Sequence, residues 1–364
     1  MPAPQNQKNR LRVLVVRLGA MGDVLHAMPA VAAVRARMPE CHIGWVIEPR
    51  WAPLLQSDAG ALPRTAAMPL VDVVHTAQAR GWARQPFSSA TWQAMLALRQ
   101  DLREQEYDLA IDLQGAVRSA LIGKSSGARL IGEAEPRERP ARWFFARRVP
   151  TGGVHVIEQA AEVASAAMNA RLCPMLPPLP TSAEIEDRMS ARLPQGTPLV
   201  LLHPGAGWGA KRWPAERYGA VAAALAARGY AVVVNRAPGE EALSAAIREA
   251  SGGAALEVST DVGELIAMTR RSVLAIGGDT GPMHLACALG KPVVGIYGPT
   301  DPARNGPWGV PFRVLRHPES RRDHARRHQP EAGLLTITAD EVLGAVDELM
   351  QSAGSCTTPR TVHG

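Results

Sequence analysis

The sequence predicts an α/β protein with two doubly wound parallel sheets, one in each half of the chain. Short apolar segments alternate with segments of helical period in both halves, which is the pattern of parallel strands joined by crossover helices. The alternation is interrupted by residues 171–182, which contain four prolines and show neither period. With 364 residues, the chain is long enough for two domains with full-sized cores. We therefore expect two sheet domains with a ligand cleft between them.

The first half, residues 11–170, contains the elements of one such domain. Residues 12–16 are predicted as a buried strand, and residues 24–38 follow with apolar side chains at helical spacing. Further strands are predicted at residues 42–47, 71–75 and 108–113, and helices at residues 91–106 and 155–169. Residues 1–10 are polar, and we expect them to be disordered.

The second half, residues 183–337, repeats this architecture after the proline-rich linker at residues 171–182. Strands are predicted at residues 199–203, 231–235, 273–276 and 292–297, and helices at residues 214–228, 239–250, 262–271 and 281–289. Residues 338–351 are predicted to form an amphipathic C-terminal helix, and residues 352–364 a disordered tail.

The composition is that of an ordinary globular protein, with 46% hydrophobic and 20% charged residues. The net charge of +6 comes from 36 arginines and only four lysines, and the arginines are spread along the chain, which argues against nucleic-acid binding. The four cysteines are far apart without metal-ligand spacing, so we expect reduced thiols and no metal site. The chain shows neither the apolar run of a signal peptide nor one of membrane-spanning length. We therefore expect a soluble cytoplasmic protein.

Residues 277–302 carry the most informative pattern in the chain. A predicted strand ends at Gly277-Gly278, and a helix begins close to Thr280, so backbone N–H groups and the helix dipole converge there on an anion. His284 lies one turn into the helix on the same face. Asp279 and Thr280 could instead only cap the helix, with His284 packed beneath it. With the glycines and the following loop at residues 298–302, a phosphate or nucleotide site is favoured.

A second glycine-rich turn, at residues 203–214, follows the first predicted strand of the second half. Its three glycines allow the backbone to approach a ligand closely, and Lys211 and Arg212 add positive charge before the next helix. We expect Lys211 to contact phosphate and Arg212 to be solvated. Glu240, at another strand end, could hold ribose hydroxyls or only favour the start of a helix.

The first half contains two segments with candidate polar groups. Asp23 follows the first strand and a turn with Gly19 and Gly22, where it could cap the helix or act as a general base toward a hydroxyl. Asp112 to Ser119 form a polar segment at another strand end. The arginines between residues 137 and 148 lie beside Trp143, Phe144 and Phe145. This run could bind nucleic acid or phosphorylated lipid, or be a solvated loop.

Together these segments resemble glycosyltransferase family 9, the lipopolysaccharide heptosyltransferases, over roughly residues 11–350. The resemblance rests on three motifs of the second half and one of the first: Asp279-Thr280-Gly281-x-x-His284, Tyr297-Gly298-Pro299-Thr300-Asp301-Pro302, Lys211-x-Trp213-Pro214 and, in the first half, Met21-Gly22-Asp23. It implies the GT-B type of fold, with two Rossmann-like domains facing a central cleft. It also implies an ADP-heptose donor held by the second domain, and neither a metal nor another cofactor.

The resemblance implies a role for each matching position. Asp23 corresponds to the catalytic base, which would deprotonate the acceptor hydroxyl for in-line attack with inversion, and Lys211 to the lysine that contacts the donor diphosphate. The positions that correspond to donor-binding residues are Gly205, Ala206, Lys211, Glu240, Thr260, Asp279, Thr280, Gly281 and His284. Those that correspond to the acceptor side are Gly22, Gln114, Arg118 and Arg142.

Within the family, the segments around Asp23 and Gln114 look like those of heptosyltransferase I, which transfers heptose to the Kdo of Kdo2-lipid A. The turn at Gly205-Ala206 instead has the form shared with heptosyltransferase II, which leaves that acceptor as an alternative. We expect a monomeric, inverting, metal-independent enzyme peripheral to the inner face of the inner membrane. A nucleotide-sugar 2-epimerase and a non-catalytic nucleotide or lipid binder are the remaining alternatives.

Overall fold

The computed structural model describes residues 10–320 and 329–355. The chain divides into two compact units, Met1–Ala183 and Glu184–Gly364. The proline-rich segment at residues 171–182 contains no helix or strand, and the helix that follows it begins at Ala183. The predicted disordered start, apart from Arg10, lies outside the described residues, as do residues 356–364 of the predicted tail.

The first unit contains a sheet of six parallel strands, as expected for a doubly wound domain. Its strands are β1 (Arg12–Val16), β2 (His42–Ile47), β3 (Val73–Thr76), β4 (Leu109–Asp112), β5 (Arg129–Glu133) and β6 (Arg147–Val149). They lie in the order β3-β2-β1-β4-β5-β6. The sequence analysis did not predict β5 and β6. β6 is an edge strand with two exposed arginines, Arg147 and Arg148, so it lacks the apolar run of a buried strand.

Five α-helices belong to the first unit: α1 (Met21–Arg37), α2 (Ala79–Arg84), α3 (Ser89–Glu104), α4 (Val117–Ser125) and α5 (Val156–Met168). Helix α1 begins earlier than predicted because Asp23, in its third position, accepts a hydrogen bond from the backbone N–H of Ala20. Helices α1 and α5 pack against each other. Leu98 and Leu102 of α3 and Ala120 of α4 share a separate apolar core with the strands.

The second unit also has six parallel strands, in the order β12-β11-β10-β7-β8-β9. The strands are β7 (Leu199–His203), β8 (Ala231–Arg236), β9 (Ala255–Ser259), β10 (Ser272–Gly278), β11 (Val293–Tyr297) and β12 (Phe312–Arg316). The helices are α6 (Ala183–Arg192), α7 (Ala215–Ala227), α8 (Glu241–Ala250), α9 (Val262–Arg271), α10 (Gly281–Ala288), α11 (Pro302–Asn305) and α12 (Ala339–Ser355). β9 and β12, the two edge strands, were not predicted. They have fewer buried residues than the central strands and therefore lack a continuous apolar run.

Helix α12 packs on the second unit, against α7 and β12. Its residues Val342, Val346 and Leu349 are buried in the same core as Val200 and Leu202 of the central strand β7. The helix continues to Ser355, past the predicted end at residue 351. No helix within residues 10–320 and 329–355 combines the length and the apolar character needed to cross a membrane.

The two sheets share one strand order, in which the first strand of each unit lies beside the fourth. The chain leaves β1 and β7 toward one side of its sheet, and the crossovers from β4 and β10 run to the other side. The carboxyl ends of β1 and β4, and those of β7 and β10, are therefore topological switch points, where open parallel sheets bind ligands. Asp23 lies in the first turn of α1, just after β1, and Gln114, Lys211 and Asp279 follow β4, β7 and β10 respectively.

Candidate functional site

In the second unit, a charged cluster lies at the switch point between β7 and β10. Lys211 Nζ donates a short hydrogen bond to Asp279 Oδ2, and His284 Nε2 lies 3.1 Å from Asp279 Oδ1. The side chains of Lys211 and Asp279 are each only 10% exposed. The sequence analysis assigned all three residues to one site, and the structure brings them together. Both carboxylate oxygens of Asp279 face side chains of the protein, and its place in the donor site stays a prediction.

The charge of Asp279 is stabilised by its two partners. Burial alone would raise the pKa of this carboxyl, but the hydrogen bond and charge of His284 and the charge of Lys211 outweigh burial and hold the pKa well below its usual range. Asp279 is therefore an anion that fixes the positions of the lysine and the histidine. The Lys211 ammonium keeps donor capacity beyond this pair, because it carries three N–H groups.

Two tryptophans, Trp208 and Trp213, pack around the turn that carries Lys211. Gly209–Lys211 form one turn of 3₁₀-helix, and Trp213 is buried beneath it, with its indole N–H donating to the carbonyl of Ile337 at 3.0 Å. Trp208 places its ring 4.2 Å from Lys211 Nζ. The sequence analysis did not single out Trp208. Its position three residues before the lysine in a glycine-rich turn was the available signal. Trp213 anchors the motif in the core, so its role is to position Lys211.

Glu240 reaches back to the turn after β7. A Cβ atom added at Gly205 would lie only 2.0 Å from Glu240 Oε1, so glycine is required there for the carboxylate to approach. Glu240 Oε2 accepts the N–H of Ala237 at 3.1 Å. Burial raises the pKa of Glu240, opposed by this hydrogen bond and the charge of Arg212. Arg212 is exposed, as expected for a solvated side chain, and its charge also acts on Glu240.

Several buried polar atoms around the carboxyl edge of this sheet have no hydrogen-bond partner. They belong to residues at or just after the ends of four strands: His203, Trp208, Arg236, Thr280 and Thr300. Buried polar groups are nearly always satisfied in folded proteins, so a group of orphaned donors and acceptors at one sheet edge indicates a polar ligand. Thr260, by contrast, donates its hydroxyl to Asn235 Oδ1 at 2.8 Å.

In the first unit, Asp23 lies at the amino end of α1. Its Oδ1 lies 3.0 Å from a guanidinium nitrogen of Arg17, and its Oδ2 accepts the N–H of Ala20 at 3.1 Å. The Asp23 side chain is 39% exposed. Arg17 also donates to the carbonyl oxygens of Asp23 and Leu113, so it ties the loop after β1 to the end of β4. The sequence analysis gave Arg17 no role, although it is the first polar residue after a buried strand.

A buried carboxylate organises the loop after β4. Asp112 accepts hydrogen bonds from the N–H groups of Gln114 and Gly115 and from the hydroxyl of Ser119, at 2.7–2.8 Å. Its burial raises its pKa to about 6, although these hydrogen bonds and Arg17 oppose the rise. Gln114 Oε1 accepts the N–H of Leu18 at 2.9 Å, which joins this loop to the loop after β1.

The other acceptor-side positions lie around the same loops. Gly22 is the second residue of α1, and Arg118 is exposed in the first turn of α4. Arg142 lies in a 3₁₀ turn, Arg139–Phe144, with a guanidinium nitrogen 3.6 Å from Glu135 Oε1. That turn packs on α4.

Comparison with known proteins agrees with these features. The family model described as glycosyltransferase family 9 (heptosyltransferase) matches residues 95–334. Lipopolysaccharide heptosyltransferase 1 of Pseudomonas aeruginosa is 31% identical over 82% of this chain and 82% of its own length. The chain belongs to glycosyltransferase family 9.

Two solved structures share the fold. The Escherichia coli heptosyltransferase WaaC, determined with ADP, superposes with a TM-score of 0.77 and 24% identity over 93% of this chain and 100% of its own. The E. coli ADP-heptose heptosyltransferase II superposes with a TM-score of 0.75 and 23% identity over 94% and 100%. The predicted pair of Rossmann-like sheets of the GT-B type is thereby confirmed.

Within the parts of the chain that the structure describes, no three His, Cys, Asp or Glu side chains are grouped as a metal site would require.

Proposed function

We propose that this protein is an inverting heptosyltransferase of lipopolysaccharide core assembly, which transfers L-glycero-D-manno-heptose from ADP-heptose to the Kdo of Kdo2-lipid A. Membership of family 9 supports the reaction class. The observation that carries the proposal is the cluster in which Asp279 fixes Lys211 and His284 beside the amino end of α10. No metal or cofactor takes part in the proposed reaction.

The donor diphosphate binds at the switch point between β7 and β10. Lys211 supplies positive charge, and the backbone N–H of Gly281 at the start of α10 is directed toward the same anion. The buried hydroxyl of Thr280, which has no partner in the protein, donates to a phosphate oxygen. Gly205 and Ala206 bring the backbone of the first loop close to the donor.

The nucleoside occupies the part of the edge formed by β8 and β9. Glu240 accepts hydrogen bonds from the ribose hydroxyls through Oε1, the oxygen that faces Gly205, because Oε2 already accepts the N–H of Ala237. Thr260 and Asn235 form one hydrogen-bonded pair at the ends of these strands and border the base.

Asp23 acts as the general base. It takes the proton from the acceptor hydroxyl as that oxygen bonds to the anomeric carbon, and the bond from this carbon to the β-phosphate oxygen breaks. The configuration at the anomeric carbon inverts because attack and departure occur on opposite sides. Lys211 and the α10 amides stabilise the charge that develops on the departing ADP. Arg17 holds the Asp23 carboxylate in position.

The acceptor side comprises Gly22, Gln114, Arg118 and Arg142, whose arginines would contact acidic groups of the acceptor. The enzyme acts as a monomer at the cytoplasmic face of the inner membrane. Heptosyltransferase II activity is the second candidate, favoured by the Gly205-Ala206 form of the turn after β7.

The two activities are separated by the product. Purified protein is incubated with ADP-heptose and either Kdo2-lipid A or its monoheptosylated form, and the products are identified by mass spectrometry and nuclear magnetic resonance. Heptose on the Kdo with inverted anomeric configuration supports the proposal. Product only from the monoheptosylated acceptor establishes the second candidate, and retained configuration contradicts the mechanism.

A further inference from the structure

Helix α3 has two apolar sides, and within the described residues one is buried and the other is exposed. Thr91, Leu98 and Leu102 are buried against the sheet. Trp92 and Leu96 point away from it and are 55% and 57% exposed. Because residues four apart share a helix face, the exposed apolar side chains form a continuous stripe along the outside of α3.

This outer stripe consists of Trp92, Met95, Leu96, Arg99 and Arg103, together with Phe87 in the turn before the helix. Phe87 is 94% exposed, the largest exposure of any large hydrophobic side chain among the described residues. Large side chains exposed side by side mark an interaction surface rather than an ordinary scattering of surface residues.

The stripe is also positively charged. Residues 79–100 contain Arg80, Arg84 and Arg99 and no aspartate or glutamate, and Arg103 follows one turn later. Among the nearby carboxylates, Asp101 pairs with His75 at 2.5 Å, whereas Glu104 accepts from Gln100 at 2.9 Å and lies beside Arg99 and Arg103. Arg80 pairs with Glu48 at 3.4 Å, so the excess positive charge of the stripe comes from Arg84, Arg99 and Arg103 against Glu104. Arg103 donates through Nε to the carbonyl of Ser125 and retains its other guanidinium donors.

We propose that the outer stripe docks the protein on an anionic membrane surface. Trp and Phe with Leu and Met on one face, bordered by arginines, is the composition of helices that lie in the lipid interface. The arginines fit the negative potential of a bilayer that contains acidic lipids. This inference rests on the proposed function in one respect: docking would bring the enzyme to an acceptor that is anchored in the membrane by its lipid.

Exposed groups of two neighbouring elements extend this surface. Leu121 on α4 and Trp143 in the 3₁₀ turn are 51% and 71% exposed. Their elements contribute Ala120 and Ala141 to the same apolar core as Leu98 of α3, so they cover the same face of the sheet.

The test is sedimentation of the full-length protein with vesicles of phosphatidylcholine alone and of phosphatidylcholine mixed with phosphatidylglycerol. We expect binding to the mixed vesicles, about tenfold weaker for Trp92→Ser combined with Leu96→Ser, since each removes an apolar side chain from the interface. Arg99→Gln with Arg103→Gln should reduce binding and its salt sensitivity. The matched control is Leu62→Ser with Val154→Ser, two exposed apolar side chains outside the stripe, which should bind as the unchanged protein does.

Equal binding of stripe and control variants, or no binding of the unchanged protein to mixed vesicles, overturns the docking proposal. A dimer in sedimentation equilibrium that Trp92→Ser dissociates would assign the stripe to a second copy instead. Transfer to a deacylated, water-soluble acceptor separates the two proposals. If only docking is affected, the stripe variants still transfer heptose to this soluble acceptor. If the unchanged protein does not transfer heptose to it, the proposed function fails.

Discussion

His284 Nε2 lies 3.1 Å from Asp279 Oδ1, and the opposite oxygen of the same carboxylate binds Lys211. One buried carboxylate thus holds both Lys211 and His284, which come from different strand ends. Lys211 follows β7, whereas Asp279 and His284 follow β10. The donor site is therefore assembled across two adjacent strands, and Asp279 is a positioning residue.

Replacing Asp279 should damage both stability and ADP binding. Asp279→Asn leaves the buried Lys211 ammonium without its partner, so we expect the free energy of unfolding to fall by about 3–5 kcal/mol. The double variant Asp279→Asn/Lys211→Met should regain part of this stability while losing ADP affinity. Urea unfolding and titration calorimetry measure the two effects.

The exposed pair Arg228–Asp347 provides the control for this prediction, because its ion pair is solvated. Asp347→Asn should cost about 1 kcal/mol or less and leave ADP binding unchanged. An Asp279→Asn protein as stable as Asp347→Asn, with normal ADP affinity, would remove Asp279 from its positioning role.

Gly205→Ala tests the contact between the turn after β7 and Glu240. The added methyl group would lie 2.0 Å from Glu240 Oε1, so the carboxylate must move and ADP affinity should fall, on the order of tenfold. Gly207→Ala is the matched control, since an added Cβ there meets nothing within 4 Å. Equal ADP affinities of the two variants would show that Glu240 does not contribute to nucleotide binding.

The sequence was sufficient to identify the loops of the site, but not the contacts between them. The resemblance to family 9 assigned Lys211 and Asp279 to one donor site. That β7 and β10 are neighbours depends on the strand order, which is set by long-range packing. The bond from Arg17 to Leu113 and the proximity of Glu240 to Gly205 depend on such neighbours too, and neither was predicted.

The sequence pattern also did not predict edge strand β6, which has a mixed composition and is formed by pairing with β5. Arg147 and Arg148 belong to the basic run for which nucleic-acid binding, lipid binding and a solvated loop were left open, yet they form edge strand β6 beside β5. Their backbones are paired on one side, and their side chains are exposed. Period alone does not detect such a strand, because only Val149 is buried.

Asp23→Asn should abolish heptose transfer while leaving ADP affinity nearly unchanged, because an amide cannot accept the acceptor's proton. The amide oxygen can still accept the N–H of Ala20, so the start of α1 is preserved. Asp58→Asn is a suitable control, as Asp58 is another exposed carboxylate that accepts a backbone N–H, from Gly60 at 2.8 Å. Transfer at a near-normal rate by the Asp23 variant would contradict base catalysis.

The stability of the first unit should depend on pH through Asp112. Its pKa is raised from 3.8 to about 6 by burial, so the folded protein binds this proton more tightly than the unfolded chain. The contribution to stability is complete below the unfolded pKa and is lost as pH rises through about 6. Unfolding by urea should therefore show the unchanged protein gaining stability relative to Asp112→Asn as pH falls over this range. A difference independent of pH would mean that Asp112 does not titrate there.

ADP release from ADP-heptose, measured in the presence and absence of Kdo2-lipid A, decides whether this protein is an acceptor-dependent heptosyltransferase. We expect release that depends on the acceptor, is lost in Lys211→Ala and Asp23→Asn, and matches the heptose transferred mole for mole. Acceptor-independent conversion of the donor to an epimer, or ADP-heptose binding without release under either condition, would refute heptose transfer.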